Sequence, residues 1–149
     1  MSPGGRVIPP GDGDAITFPF GQPRIKVGRG DGHDQIGLLE SELPPGGGFQ
    51  LPHRHDDLDE TFYVLEGTID YLLDDTWIAA EAGTTVFVPA GVVHAFRNNT
   101  DRTARQLVLG SVEAIELVKE LSRNPRERWG QVFADYRTRP ADDCEVAGP

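Results

Sequence analysis

The sequence predicts an all-β domain, a small antiparallel sandwich or barrel of short strands followed by one or two C-terminal helices. Three observations carry this. The 149 residues include 18 Gly and 12 Pro, spread along the chain, which disfavours long helices and favours short strands joined by turns. Two long stretches alternate apolar and polar side chains with the period of a half-buried strand. After Gly110 that period lengthens to a helical one. A chain of this length makes one domain with a real core but not two of ordinary size.

Residues 1–15 are rich in Gly, Pro and Asp and are expected to form a flexible N-terminal arm. The domain proper should run over 16–138. Arg24 to Val27 and Gln35 to Leu43 suit strands, the second ending at Pro44, Pro45, Gly46, Gly47 and Gly48. Gln50 to His55 follows a loop. Thr61 to Leu65 is β-rich with Phe62 and Val64 on one face, and after Gly67 the pattern resumes from Ile69 to Leu73, which reads as a hairpin. Asp74 and Asp75 turn into Trp77 to Ala80. Gly83 turns into Thr84 to Val88, and Pro89 stops that strand. His94 to Asn98 and Thr103 to Leu109 complete a barrel core over about 35–110.

Helices are expected over about 111–138. Ser111 is placed as an N-cap, with Glu113 in the first turn and Val112, Ile115, Val118 and Leu121 along one face. A second helix should open at Asn124, with Pro125 at its first position and Trp129, Val132, Phe133 and Tyr136 on one side. Both helices should cover the barrel or a subunit contact. Residues 139–149 read as a disordered tail.

The charge balance is 14 Lys and Arg against 24 Asp and Glu, a net −10. Such a chain repels a polyphosphate backbone unless a basic patch overcomes the field. Its densest basic group, Arg123, Arg126 and Arg128, is interrupted by Glu127, so nucleic acid is not an expected partner. Cys144 is the only cysteine, which rules out an intrachain disulfide and a thiolate metal cluster. No apolar run has the length of a membrane span, and the first residues lack a signal-peptide core. The expectation is a soluble cytoplasmic protein that acts on a small molecule without binding a membrane.

Three of the four histidines lie in strand-like segments. His53 and His55 are two apart, so on a strand they share a face, about 6.8 Å from each other along it. Glu60 is in phase with Phe62 and Val64, which would turn its carboxylate inward with the imidazoles. His94 begins a later strand. One reading is a set of polar groups satisfied by hydrogen bonds. However, burying a carboxylate and three imidazoles in an apolar barrel costs several kcal/mol of desolvation, which a divalent cation offsets. Imidazole and carboxylate together suit Fe, Mn, Ni, Co, Cu or Zn. Four ligands on a six-coordinate ion leave two positions open for chemistry.

The spacing also resembles a known family. Gly47, five residues, His53, one residue, His55, four residues, Glu60, six residues and Gly67 is similar to the first motif of the cupin superfamily. Gly83, five residues, Pro89, one residue, Gly91, two residues, His94, three residues and Asn98 is similar to the second, 15 residues further on. The resemblance implies a jelly-roll barrel and metal ligation by His53, His55, Glu60 and His94. It also implies a homodimer. The segments LPPGGGFQLPHRH, ETFYVLEGTIDYLL and VFVPAGVVHAFRN look most like single-domain bacterial proteins related to quercetinase-type dioxygenases and to cupin polyketide cyclases.

The leading expectation is therefore a metal-dependent dioxygenase acting on a small oxygen-rich or aromatic molecule, with Glu60 doubling as a catalytic base. The alternatives are a non-redox cyclase, isomerase or lyase, and a non-catalytic binding protein, because the fold alone does not select a reaction. Phe62, Tyr71 and Phe96 are the candidates for the substrate pocket, although an aromatic in a strand is ordinarily core. Phe87 is another aromatic that could stack a substrate. His33 reads as a surface residue, with a swing into the cavity as the alternative, and Gln35 and Gln50 as distant candidates for hydrogen bonding behind the ligands. Asp56, Asp57 and Asp59 read as a solvated acidic loop.

Overall fold

A computed structural model describes residues 4–18 and 21–141. The alternating segments form β1 (Asp14–Ala15), β2 (Gln22–Val27), β3 (Gly37–Leu43), β4 (His53–His55), β5 (Glu60–Glu66), β6 (Thr68–Leu73), β7 (Thr76–Glu81), β8 (Thr85–Val88), β9 (His94–Arg97) and β10 (Ala104–Gly110). The chain then continues through α1 (Val112–Arg123), a short 3-10 turn (Arg126–Arg128), α2 (Trp129–Asp135) and β11 (Thr138–Pro140).

The strands make two antiparallel sheets, in the orders β1-β2-β3-β10-β5-β8 and β11-β4-β9-β6-β7. The predicted all-β jelly roll is what forms, as two sheets that do not close into one continuous hydrogen-bonded barrel. Period-two alternation sets which side chains face the core between them. In β5, Glu60, Phe62 and Val64 are buried. Phe62 and Val64 meet Leu39, Ile69, Tyr71, Val88 and Val108 in the main core. Gly67 turns β5 into β6 at φ +76°, a conformation that a Cβ disfavours.

Helix α1 starts as expected, with Ser111 Oγ accepting from the Ala114 amide at 3.3 Å. Its buried face carries Val112, Ala114, Ile115, Leu117 and Leu121. With Trp129, Val132 and Phe133 of α2, Leu117 and Leu121 form a second apolar cluster. The second helix begins later than its sequence suggests. Asn124 and Pro125 are both extended, Pro125 at φ −65° and ψ 154°, and the α-helix opens only at Trp129. Proline sets φ but leaves ψ free, so Pro125 is compatible with either state.

At both ends of the described residues the backbone is more tied down than its composition implies. Asp14 and Ala15 pair with Ile25 and Arg24. The Lys26 ammonium donates to the carbonyls of Pro9 and Asp12, and the Gly11 amide donates to Glu40. At the other end, Arg139 and Pro140, expected in a disordered tail, belong to β11 and pair with Arg54 and His53. Residues 142–149, including Cys144, lie outside the described residues. Among the described residues no helix is long and apolar enough to cross a membrane.

Candidate metal centre

Strand β4 turns His53 and His55 inward and Arg54 outward. Its neighbour β9 brings His94 into register opposite His53. The ring centroids of His53 and His94 are 4.3 Å apart, and those of His55 lie 5.1 Å from His53 and 5.2 Å from His94. One nitrogen from each ring lies within 4.8 Å of the others. Glu60 arrives from the opposite sheet, at the start of β5. Its Oε2 is 2.9 Å from His94 Nε2 and 3.4 Å from His55 Nε2. All four side chains are buried. Two residues from one strand, one from its neighbour and one from the facing sheet thus converge on one point.

Behind the rings, each Nδ1 has a partner. His53 Nδ1 donates to the Leu51 carbonyl at 2.8 Å, and His94 Nδ1 to the Val92 carbonyl at 3.0 Å. His55 Nδ1 lies 2.7 Å from Thr138 Oγ1. A carbonyl only accepts, so His53 and His94 carry protons on Nδ1; His53 Nε2 then has a lone pair to offer, whereas His94 Nε2 is hydrogen-bonded to Glu60 Oε2 and becomes available once the proton between them leaves. Outer partners of this kind orient imidazole ligands around a metal.

The residues fit a divalent cation on the evidence of their own polar atoms. His55 Nε2 is fully buried and has no hydrogen-bond partner; its approach to Glu60 lacks hydrogen-bond geometry. An orphaned buried nitrogen is costly in an apolar interior, and a cation held by it and its neighbours removes that cost. Burial holds the His53 pKa well below the usual imidazole value, and the nearby His94 and His55 rings push it lower still. Burial would raise Glu60, but the close approach of His55 Nε2, the hydrogen bond with His94 and the charge of both rings hold its carboxyl well below the usual range. On His94 burial works against the positive charge, and the bond to Glu60 outweighs it and raises the pKa. Without a cation, a proton is therefore held between His94 and Glu60, and cation binding releases it.

The cluster opens into a cavity of about 90 Å³. Phe62 and Phe96 line it from the sheets, and Ala114, Leu117, Val118, Leu121 and Phe133 from the helices. Phe133 stacks on His53 at 5.8 Å between centroids and 11° between planes, while Phe49 meets the same ring edge-on at 5.1 Å. Tyr71 does not reach the cavity. It packs behind Phe62 and Phe96, and its hydroxyl donates to Gln106 Oε1, burial pushing its pKa up. Phe87 is 57% exposed on the outer face of its sheet. His33, Gln35 and Gln50 are exposed, Gln50 bonding back to the Gly46 carbonyl.

The acidic loop has partners of its own. Asp57 pairs with Arg137 at 2.6 Å and Asp56 with Arg139 at 2.8 Å, while Asp59 accepts from the Ala90 amide. Among the residues that sequence reasoning leaves out of the site are Phe49, Phe133 and Thr138. Phe133 is legible only as an apolar helix position, and no local signal marks Thr138.

The family model described as the Cupin domain matches residues 39–110, a span that contains all four converging residues. This chain carries a cupin domain. Quercetin 2,3-dioxygenase from Bacillus subtilis (strain 168) is 31% identical over 97 residues, covering 65% of this chain and 28% of the dioxygenase. The cupin thus corresponds to little more than a quarter of that relative. The polyketide cyclase RemF from Streptomyces resistomycificus is 29% identical with a TM-score of 0.57, over 68% of this chain and 70% of the cyclase. KdgF from Halomonas sp. superposes with a TM-score of 0.62 over 72% of this cupin and 94% of KdgF, at 17% identity, a likeness of fold.

Proposed function

We propose that this cupin is a metal-dependent enzyme acting on a small aromatic or oxygen-rich molecule, with dioxygenation as its reaction. The observation that carries the reading is the convergence of three imidazoles and Glu60 at the wall of a mainly apolar cavity that phenylalanines help to line. His53, His55, Glu60 and His94 would hold one divalent ion of Fe, Mn, Ni, Co, Cu or Zn. Such an ion supplies a Lewis acid for an enolate or phenolate oxygen and, where redox-active, a centre for dioxygen chemistry. Phe62, Phe96 and Phe133 present aromatic surface to a planar substrate and exclude water. Glu60 doubles as the base for the proton of a phenol or enol when its carboxylate leaves the ion.

The likeness to the quercetin dioxygenase supports oxygenation. A second reading, non-redox ring closure, is supported by the likeness to RemF over 70% of that cyclase's length. Metal analysis of the freshly purified protein and oxygen-electrode assays on flavonols and related enols test the proposal. Metal-dependent oxygen uptake is expected, and its absence refutes dioxygenation. Full turnover with zinc under anaerobic conditions transfers the assignment to the cyclase class. Recovery of an unchanged ligand without turnover transfers it to a binding protein.

A cytoplasmic homodimer completes the reading. Leu38, Leu109, Thr61 and Phe87 are successive cross-strand neighbours on the outer face of the larger sheet, a row with three large apolar side chains suited to burial against a second copy. A monomer by light scattering at working concentration rejects the dimer.

A further inference from the structure

We infer that Thr138 is a positioning residue for the metal centre, selecting the tautomer in which His55 offers Nε2 to the cavity. The inference rests on the metal-binding reading above. Thr138 lies 28 residues beyond the end of the matched cupin span, in a strand that returns to the barrel only after both helices. β11 pairs antiparallel with β4 so that Thr138 falls opposite His55, with Arg139 opposite Arg54. Thr138 is 2% exposed. Its neighbours Arg137 and Arg139 point outward and form ion pairs with Asp57 and Asp56. The Asp56 amide donates to the Arg137 carbonyl and the Ala141 amide to the Pro52 carbonyl. Backbone bonds and two ion pairs therefore hold the strand, and the threonine hydroxyl is fixed against the imidazole.

The proton count selects the tautomer. A threonine hydroxyl has one proton to donate and two lone pairs. Thr138 Oγ1 lies 3.2 Å from the Tyr136 carbonyl, which can only accept, and 2.7 Å from His55 Nδ1. Both contacts are satisfied only when Thr138 donates to Tyr136 and accepts from His55 Nδ1–H. His55 then keeps its proton on Nδ1, and the buried Nε2, which has no hydrogen-bond partner in the protein, presents a lone pair. If Thr138 donates to Nδ1 instead, the Tyr136 carbonyl loses its partner and an N–H occupies the ligand position. The Nδ1 atoms of His53 and His94 are held instead by carbonyls two residues before them. Only His55 depends on a distant side chain.

The test compares T138V, which keeps the side-chain shape and removes the hydroxyl, with T138S, which keeps the hydroxyl. Zinc dissociation constants are measured by competition with a chromophoric chelator. Long-range proton–nitrogen correlation spectra of the metal-free, histidine-labelled protein report the His55 tautomer. T138V should bind zinc about 10- to 100-fold more weakly, the range found when outer partners of ligand imidazoles are removed. It should also show His55 as a mixture of tautomers, whereas T138S should match the wild type in both readouts. Unchanged zinc affinity in T138V, or a wild-type His55 protonated on Nε2, overturns the inference. If T138V fails to fold, the wild-type spectrum decides alone. A wild type that binds no divalent ion defeats the metal reading, a result separate from the tautomer seen in the metal-free protein.

Discussion

Truncating Phe133 to alanine tests the idea that the helical cap is a structural part of the site. The side chain is 2% exposed and belongs to the apolar cluster of Leu117, Leu121, Trp129 and Val132. Its ring stacks on His53 and meets Phe49 at 6.4 Å and 71°. Burial of a phenylalanine contributes about 1.5–3 kcal/mol, and ring pairing adds about 0.5–1.5 kcal/mol. With the residual cavity included, Phe133→Ala should cost about 3–5 kcal/mol, a large share of the roughly 5–15 kcal/mol that stabilises a domain. That corresponds to a fall in Tm of roughly 10 °C for a chain of this size. Urea denaturation gives the magnitude, and hydrogen exchange gives its location. Protection should fall first over 129–141, because the cluster is separate from the main core, and zinc affinity should fall with it as His53 loses its stacking partner. A loss below about 1 kcal/mol, with zinc affinity unchanged, would refute the reasoning.

Three further outcomes follow from the same geometry. Zinc at about 100 times its dissociation constant should stabilise the protein by about 2.7 kcal/mol, read as a rise in Tm that disappears in His53→Ala; an equal rise in the variant places the ion elsewhere. The stability of the metal-free protein, followed by urea midpoints in the presence of chelator, should peak near pH 6.5. Below that value the unfolded chain protonates His53 while the folded one resists, and further acid titrates Glu60, whose pKa is also depressed; above it the raised pKa of His94 is passed and its pairing with Glu60 is lost. A flat profile or a maximum in acid contradicts these shifts. Gly48→Ala should be strongly destabilising, because the glycine has φ +134° and an added Cβ would stand 2.4 Å from the Phe96 carbonyl oxygen; soluble expression with a wild-type melting curve would show that the loop can move.

Much of the site is legible because it is local. His53 and His55 share a face by strand period alone, and Glu60 takes its inward direction from Phe62 and Val64, which are buried as their alternation requires. Tyr71 shows the limit of this reasoning. Its strand phase makes it inward, as observed, yet Phe62 and Phe96 stand between it and the cavity. Alternation specifies a face and not a depth.

The sequence by itself determined the all-β class, the capped first helix and the four residues with ligand spacing, because turn chemistry and side-chain period act over a few residues. Tertiary structure decided that Glu60 meets the histidines from the opposite sheet, that the helices wall the cavity, and that Thr138 stands behind His55. Those pairings span 34 residues between Glu60 and His94 and 83 between His55 and Thr138. The acidic run illustrates the difference: Asp56 and Asp57 are exposed, as their composition suggests, but only the tertiary structure sets Arg139 and Arg137 beside them. Contacts at such separations depend on which strands become neighbours, and strand pairing is settled by the packing of the whole domain.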